Sequence, residues 1–377
     1  MNQLYLRTLD FASRQVRALI ERDPDFYPMY TNKGRWRHEL ASWTHWCEGF
    51  LPGIMWILYA RGDPDWRAPA ERYTKRLAPR QFDLDIHDLG FLFMSTYGRW
   101  YALTHEPALN AVLVQAGRTM AQRFREKGSY LRSFVGENST FIDIMMNVGI
   151  VFYAARQTGD RELFDMAMRH SLTTRRVLVR GDGSTAHEGL FDPHTGEFLG
   201  QSTHQGSRGD SCWSRGLAWA IYGFGTAYGY TRDPRFLRTA QACAAFYLDN
   251  TPADGIAQWD FDAPPASRDV LDTSAAAIAA SGLLQLATIA GDASKRTYYD
   301  EMAGRILTSL CAHHSAEGDP QWEGILKGGV YHLHKGLGVN ESVMWGDYFF
   351  VEALDRAMRN AVGQTVSSAT SPVTAFS

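Results

Sequence analysis

The chain has 377 residues, 45% hydrophobic and 13% aromatic, enough to bury a large core as one big domain or two ordinary ones. A formal net charge of −3 supplies no basic field for nucleic acid, and no apolar run reaches the roughly 20 residues that span a bilayer. The four cysteines, Cys47, Cys212, Cys243 and Cys311, form no CxxC pair and read as free thiols. The start, Met1-Asn2-Gln3-Leu4, lacks a basic segment followed by an apolar one. A cytoplasmic enzyme is expected, with neither nucleic acid nor membrane as partner.

Taken in chain order, amphipathic and apolar helical stretches alternate. The first, near 3–22, is amphipathic, and an apolar stretch follows at roughly 46–61. The pattern repeats as 64–78 then 86–103, 107–126 then 141–157, 161–178 then 213–229, 234–250 then 273–289, and 295–313 then 343–358. Short turns such as Gly62-Asp63-Pro64, Gly159-Asp160, Asp233-Pro234 and Gly291-Asp292 close one helix and open the next. Helices hydrophobic nearly all round belong inside and amphipathic ones outside. Twelve helices in six such pairs predict an all-α fold, a six-hairpin (α/α)6 barrel spanning 1–360, because an open solenoid would expose large aromatic surfaces. The Ser/Thr-rich stretch 361–377 reads as a disordered tail.

In such a barrel the six inner helices run parallel and their starts share one mouth. Polar and aromatic residues gather at those starts: Trp46 and Glu48, His87 and Asp88, Asp143, Trp213 and Arg215, Asp272 and Ser274, Trp345 and Asp347. Two long irregular stretches, 181–211 with a hairpin expected around 191–197 and 316–342, arrive at the same end. Asp88 and Asp143 each open a strongly apolar helix. Read singly, each fits a helix cap, Thr140 with Asp143 and Asp85 with Asp88 imitating the capping box. Read together, at one mouth, they are a carboxylate pair suited to acid/base work on a sugar. Eleven tryptophans, 17 tyrosines and 20 phenylalanines serve either core packing or sugar stacking, and composition does not separate the two.

The segment His87-Asp88-Leu89-Gly90-Phe91 resembles the first acid motif of the unsaturated glucuronyl hydrolases, glycoside hydrolase family 88. Thr203-His204-Gln205-Gly206 followed by Trp213-Ser214-Arg215-Gly216-Leu217-Ala218-Trp219-Ala220-Ile221-Tyr222-Gly223-Phe224 resembles that family's longest signature. Trp345-Gly346-Asp347-Tyr348-Phe349 resembles its last inner helix, an ending shared with the related unsaturated rhamnogalacturonyl hydrolases. The likeness runs in order from about Trp46 to Leu354.

The resemblance implies the same barrel and an unusual reaction, and with no strand–GxGxxG–helix unit in the chain no cofactor is expected. Such enzymes hydrate the C4=C5 double bond that a lyase leaves on a non-reducing-end uronic acid, and the hemiketal that forms collapses to release the remaining sugar. By position, Asp143 matches the family's general acid/base and Asp88 its assisting carboxylate. His87, His187, Gln205, Trp213, Arg215 and Trp219 match site-lining residues, as do Trp46 and Tyr331. Phe134 falls where a tryptophan is usual. Arg215 pairs either with the substrate carboxylate or with a structural acid such as Asp210. Trp213 and Trp219, six apart, lie on different helix faces and are expected to do different jobs.

The Ser-x-x-Ser-x-Lys stretch of members that accept sulfated substrates reads Tyr331-His332-Leu333-His334-Lys335 here, without the serines, so unsulfated substrates are expected. His332-x-His334 lacks a third ligand at useful spacing, and no metal is expected. The partner expected is a small unsaturated uronyl oligosaccharide, acted on by a monomer or weak homodimer. The alternatives are an unsaturated rhamnogalacturonyl hydrolase of the same chemistry, or a sugar-binding or epimerase protein on the same barrel.

Overall fold

A computed structural model describes residues 2–39 and 45–361, the last of these in backbone only. From position 362 onward, the tail expected to be disordered lies outside the described residues. The helical segments are α1 (Asn2–Arg22), α2 (Phe50–Ala60), α3 (Arg67–Arg76), α4 (Leu89–Met94), α5 (Tyr97–Thr104), α6 (Pro107–Ala121) and α7 (Ile144–Asn147). They continue as α8 (Gly149–Thr158), α9 (Arg161–Leu178), α10 (Ser214–Thr231), α11 (Pro234–Asn250), α12 (Thr273–Ile289), α13 (Ala293–Ser309) and α14 (Met344–Ala361).

These fourteen segments are the twelve expected helices, because two inner helices are interrupted: α4 with α5, and α7 with α8. The inner ring runs α2, α4/α5, α7/α8, α10, α12 and α14, each packing on the next, and α14 closes it against α2. The fold is an (α/α)6 barrel. The sequence logic is visible in burial. Every residue of α12 from Thr273 to Ala287 is buried, whereas α9 buries Leu163, Ala167, His170, Thr174 and Val177 at helical spacing and leaves the opposite face to solvent.

The expected turns do the work their residues suggest. Asp63, Asp160, Asp233, Asp272 and Asp292 each accept a backbone N–H at the start of the helix they precede. Gly159 ends α8 at φ 69°, the left-handed conformation a glycine adopts without strain.

Several boundaries differ from expectation. The helix expected from 46 starts at Phe50, leaving Trp46 in the turn before it. The 86–103 helix breaks after Met94, where Ser95 Oγ and Thr96 Oγ1 donate to the Phe91 and Leu92 carbonyls, both at 2.5 Å. Such back-bonding competes with the helical ladder, and Thr96 leaves it at φ −114°, ψ −87°. The 64–78 helix opens as a 3-10 turn over Pro64–Trp66, the 107–126 helix stops at Ala121, and the last outer helix ends in a π turn over Leu310–His314.

The two long irregular stretches carry short strands. Glu188–Phe191 and Phe198–Ser202 form an antiparallel sheet with Ser139–Phe141, a strand from outside these stretches, and Gly329–His332 pairs with Leu337–Glu341. The expected hairpin is closed by Asp192, whose carboxylate accepts the N–H groups of His194 and Thr195, each at 2.8 Å.

The inner ring is tight enough that Gly223 on α10 lies against the backbone of Met145 on α7. A Cβ there would stand 2.6 Å from the Met145 carbonyl carbon and oxygen. Gly223→Ala is therefore expected to cost about 1–3 kcal/mol of stability through overpacking. Urea unfolding checks this; an unchanged midpoint would mean that α10 and α7 separate freely.

Candidate active site

Asp88 and Asp143 occupy the N-cap positions of α4 and α7, yet neither carboxylate accepts a hydrogen bond from its own helix. The capping reading therefore fails for both. The expected capping-box partner Thr140 instead donates to the Leu131 carbonyl at 2.9 Å. Two acidic side chains at helix starts, released from capping, face a common cavity of about 430 Å³ of empty space. Its walls are Trp46, His87, Asp88, Phe91, Phe134, Phe141, Asp143, His204, Gln205, Arg215 and Tyr331.

The strand Ser139–Phe141 aligns Phe141 with Glu188, and the Ile142 N–H donates to the His187 carbonyl at 2.9 Å. This register brings His187 beside Asp143, with Nε2 3.3 Å from Oδ2. His87 stands in the same relation to Asp88, with Nε2 3.5 Å from Oδ1. Both imidazoles are locked by their other nitrogen. Nδ1 of His87 accepts the Phe134 N–H at 3.0 Å, and Nδ1 of His187 accepts the His204 and Gln205 N–H groups, both at 3.1 Å. An Nδ1 that accepts carries no proton, so in each neutral ring the proton sits on Nε2, facing an aspartate. Burial also drives the His87 pKa down to about 3, with the Arg123 guanidinium adding to the effect.

The two carboxyls are pushed apart. Burial, then the charge of Asp143, raises Asp88 well above the ordinary carboxyl range, against smaller opposing effects of Arg123, Arg80 and Asn147. Burial pushes Asp143 the same way, but the facing His187, then His87 and Arg215, outweigh it and leave this carboxyl lowered. Of the pair, Asp88 is thus the carboxyl that keeps a proton more readily and Asp143 the one that ionises first. Environments that separate two titratable groups in this way set up acid/base roles.

The other expected residues divide between the cavity wall and the layer behind it. Trp46, His87, Phe134, Gln205, Arg215 and Tyr331 line it. Trp213 does not: it is buried behind His187, ring centroids 4.6 Å apart. Trp219 is buried beneath the cavity against Phe91 and Phe349, at 5.0 and 5.3 Å. The two tryptophans do separate jobs, and neither ring is open to a sugar.

Arg215 takes the structural-acid alternative, with Asp272 rather than Asp210 as its partner. Its Nη1 pairs with Asp272 at 3.1 Å and also donates to the Val330 carbonyl, Nη2 donates to the Tyr331 carbonyl at 2.9 Å, and the guanidinium lies 4.4 Å from the Trp213 ring centroid. Asp210 pairs with Arg208 instead, at 3.0 Å. Sequence reasoning missed Phe91, Phe141 and His204 as wall residues. Phe91 was available as the position three after Asp88 on the same helical face. Also missed was Asn147, four residues after Asp143. Among the described residues no three His, Cys, Asp or Glu side chains converge so as to hold a metal ion, and no helix is long and apolar enough to cross a membrane.

The opposite shifts make opposite stability predictions. A carboxyl raised by folding, like Asp88, contributes stability that is complete below its unfolded pKa of about 3.9 and is lost as pH rises toward the folded value. A carboxyl lowered by folding, like Asp143, contributes above the unfolded value and loses that contribution as pH falls. Asp88→Asn is therefore expected to melt higher than the parent at neutral pH, the gain fading toward about pH 4. Asp143→Asn is expected to melt lower at neutral pH. Melting temperatures across pH check this; shifts of the same sign for both variants would refute the assigned proton.

The chain resembles known proteins along most of its length. The description Glycosyl Hydrolase Family 88 matches residues 27–321. The chain is 33% identical over 368 residues to the "Unsaturated glucuronyl hydrolase" of Bacillus sp. (strain GL1), covering 94% of this chain and 96% of that one. It is 31% identical over 362 residues to the "Unsaturated chondroitin disaccharide hydrolase" of Streptococcus pyogenes serotype M1, covering 93% and 90%. A crystal structure of an unsaturated glucuronyl hydrolase specific for heparin superposes with a TM-score of 0.89 at 32% identity, over 96% of this chain and 99% of that one. With its fold, its paired aspartates and these matches, the chain belongs to glycosyl hydrolase family 88.

Proposed function

We propose that this chain removes a 4,5-unsaturated glucuronic acid from the non-reducing end of lyase-generated oligosaccharides, by hydrating the C4=C5 bond. The observation that carries the reading is the pair Asp88 and Asp143, uncapped, oppositely biased and facing one aromatic-walled cavity. The names of the relatives support the substrate class. Described residues from 2 to 360 serve as one catalytic unit in this reading. The four cysteines, all buried and free, support a reducing, cytoplasmic setting.

An enol ether is hydrated when a proton is delivered to C4 and a water oxygen bonds to C5. The water loses its proton to a base, and C5 becomes a hemiketal. The hemiketal opens to a ketone, and C1 then releases the leaving sugar. Asp143 acts as acid/base in this scheme, with Asp88 as proton reservoir. The substrate's own carboxylate brings a further negative charge into a cavity that already holds one. Like charge raises proton affinity, so binding favours the protonated form of Asp143 that the acid step needs. The opposite bias of the two carboxyls supports a second assignment, in which Asp88 protonates C4 and Asp143 activates water. Arg215, held by Asp272 and two carbonyls, contributes a positive wall for the uronate rather than a free bidentate fork. Trp46 and Phe134 offer ring faces to the sugar.

Asp143→Asn is expected to lower kcat by roughly 10²–10⁴-fold on an unsaturated glucuronyl disaccharide, followed as loss of enoate ultraviolet absorbance, with substrate affinity little changed. Normal turnover by this variant, or full activity of the parent on saturated glucuronides with none on unsaturated ones, would overturn the reading. The absence of serines from Tyr331 to Lys335 supports a preference for unsulfated substrates. Matched sulfated and unsulfated chondroitin disaccharides should differ in kcat/KM in favour of the unsulfated form; the reverse order would place a sulfate-reading group elsewhere.

A further inference from the structure

The first turn of α4 needs a cap, and Asp88 does not supply it. The Phe91 N–H, three residues into that turn, donates instead to Asn147 Oδ1 at 2.8 Å, from the end of α7. Because the Phe91 N–H requires an acceptor, the oxygen of the Asn147 amide is fixed on that side. Its NH2 group can then only face the other way. There it lies 3.4 Å from Asp88 Oδ1 and 3.2 Å from the backbone carbonyl of Asp143. Asn147 is fully buried, and its approach depends on Gly90: a Cβ at that position would stand 2.6 Å from Asn147 Cα and 2.8 Å from Oδ1.

We infer that Asn147 is a positioning residue that caps α4 in place of Asp88, leaving the Asp88 carboxyl free for the reaction and tying it to the segment that carries Asp143. The inference rests on the hydration reading for its kinetic consequence and on geometry alone for its structural one. A helix start whose own N-cap carboxylate were drawn onto the Phe91 N–H would turn that carboxylate away from the cavity and stabilise it as an anion. The borrowed amide prevents both. Gly90 and Asn147 form one device, since neither works without the other.

The test uses three variants of the full chain. Asn147→Leu removes both cap and donor while keeping the branched four-heavy-atom shape, Asn147→Asp keeps an acceptor for Phe91 but loses the donor to Asp88, and Gly90→Ala drives Asn147 out without altering it. Displacing a reacting group by about 1 Å costs on the order of 10²-fold in rate. Asn147→Leu and Gly90→Ala are each expected to lose about that factor in kcat with KM little moved, and combining them should add little further loss. Asn147→Asp should retain a melting temperature nearer the parent's than Asn147→Leu while losing kcat.

A readout independent of turnover is the urea midpoint in a double-mutant cycle of Asp88→Asn with Asn147→Leu. The midpoint shift caused by Asp88→Asn should differ between the two backgrounds. Additive midpoints would overturn the assignment, as would Asn147→Leu with parental kcat in an active enzyme. If the parent does not consume unsaturated disaccharide, the hydration reading falls and the midpoint cycle alone decides the positioning role.

Discussion

A helix that is apolar around its whole circumference has to be enclosed on every side, and this chain contains such helices at regular intervals. α12 is buried from Thr273 to Ala287 without a break, and α10 keeps buried positions on all faces down to Phe224. Six such elements satisfy one another by standing in a ring, each shielded by two neighbours and by an outer partner that is apolar on one face only. The ring in turn forces the inner helices to run parallel. Their unsatisfied first-turn N–H groups then converge on one mouth. The positive ends of several helices, and the residues preceding them, arrive together where a negatively charged sugar would enter.

Much of this is legible in residue order. The alternation of all-round apolar and one-sided stretches, and the Gly, Asp and Pro turns between them, specify hairpins and their number. Asp160, Asp233 and Asp292 behave as local signals predict, because a cap is a contact between residues two or three apart. The breaks at Ser95–Thr96 and Val148 were not legible. Apolar periodicity continues through them, and what interrupts the first is a pair of hydroxyls bonding back to carbonyls one turn earlier. That choice depends on how closely Gly49 and the Ser95 side chain are pressed together, which no local pattern records.

The site was partly legible for the same reason. Asp88 and Asp143 could be singled out as carboxylates at helix starts, but whether they capped or faced the cavity depended on a long-range partner, Asn147, 56 residues from Phe91 in sequence. Arg215 illustrates the converse. Its sequence neighbours offered Asp210 as a partner, yet the barrel supplies Asp272 from the next inner helix and the carbonyls of a strand far along the chain. Aromatic residues were abundant enough that their roles followed only from depth: Trp46 and Phe134 reach the wall, while Trp213 and Trp219 support side chains that do.

The locking of the two histidines has a consequence for how the mouth holds its shape in acid. Each Nδ1 is the anchor of a loop: His87 holds the turn that carries Phe134, and His187 holds the turn that carries His204 and Gln205. A ring that takes up a second proton becomes a donor at the very atom on which the loop hangs, and the backbone N–H groups are left facing another N–H. At His87 burial holds that second proton off down to about pH 3, so the turn that carries Phe134 stays fastened through weak acid. The same burial that keeps His87 neutral thus keeps its loop in place, and the fit of the entrance on that side does not follow the acidity of the surroundings until strong acid is reached.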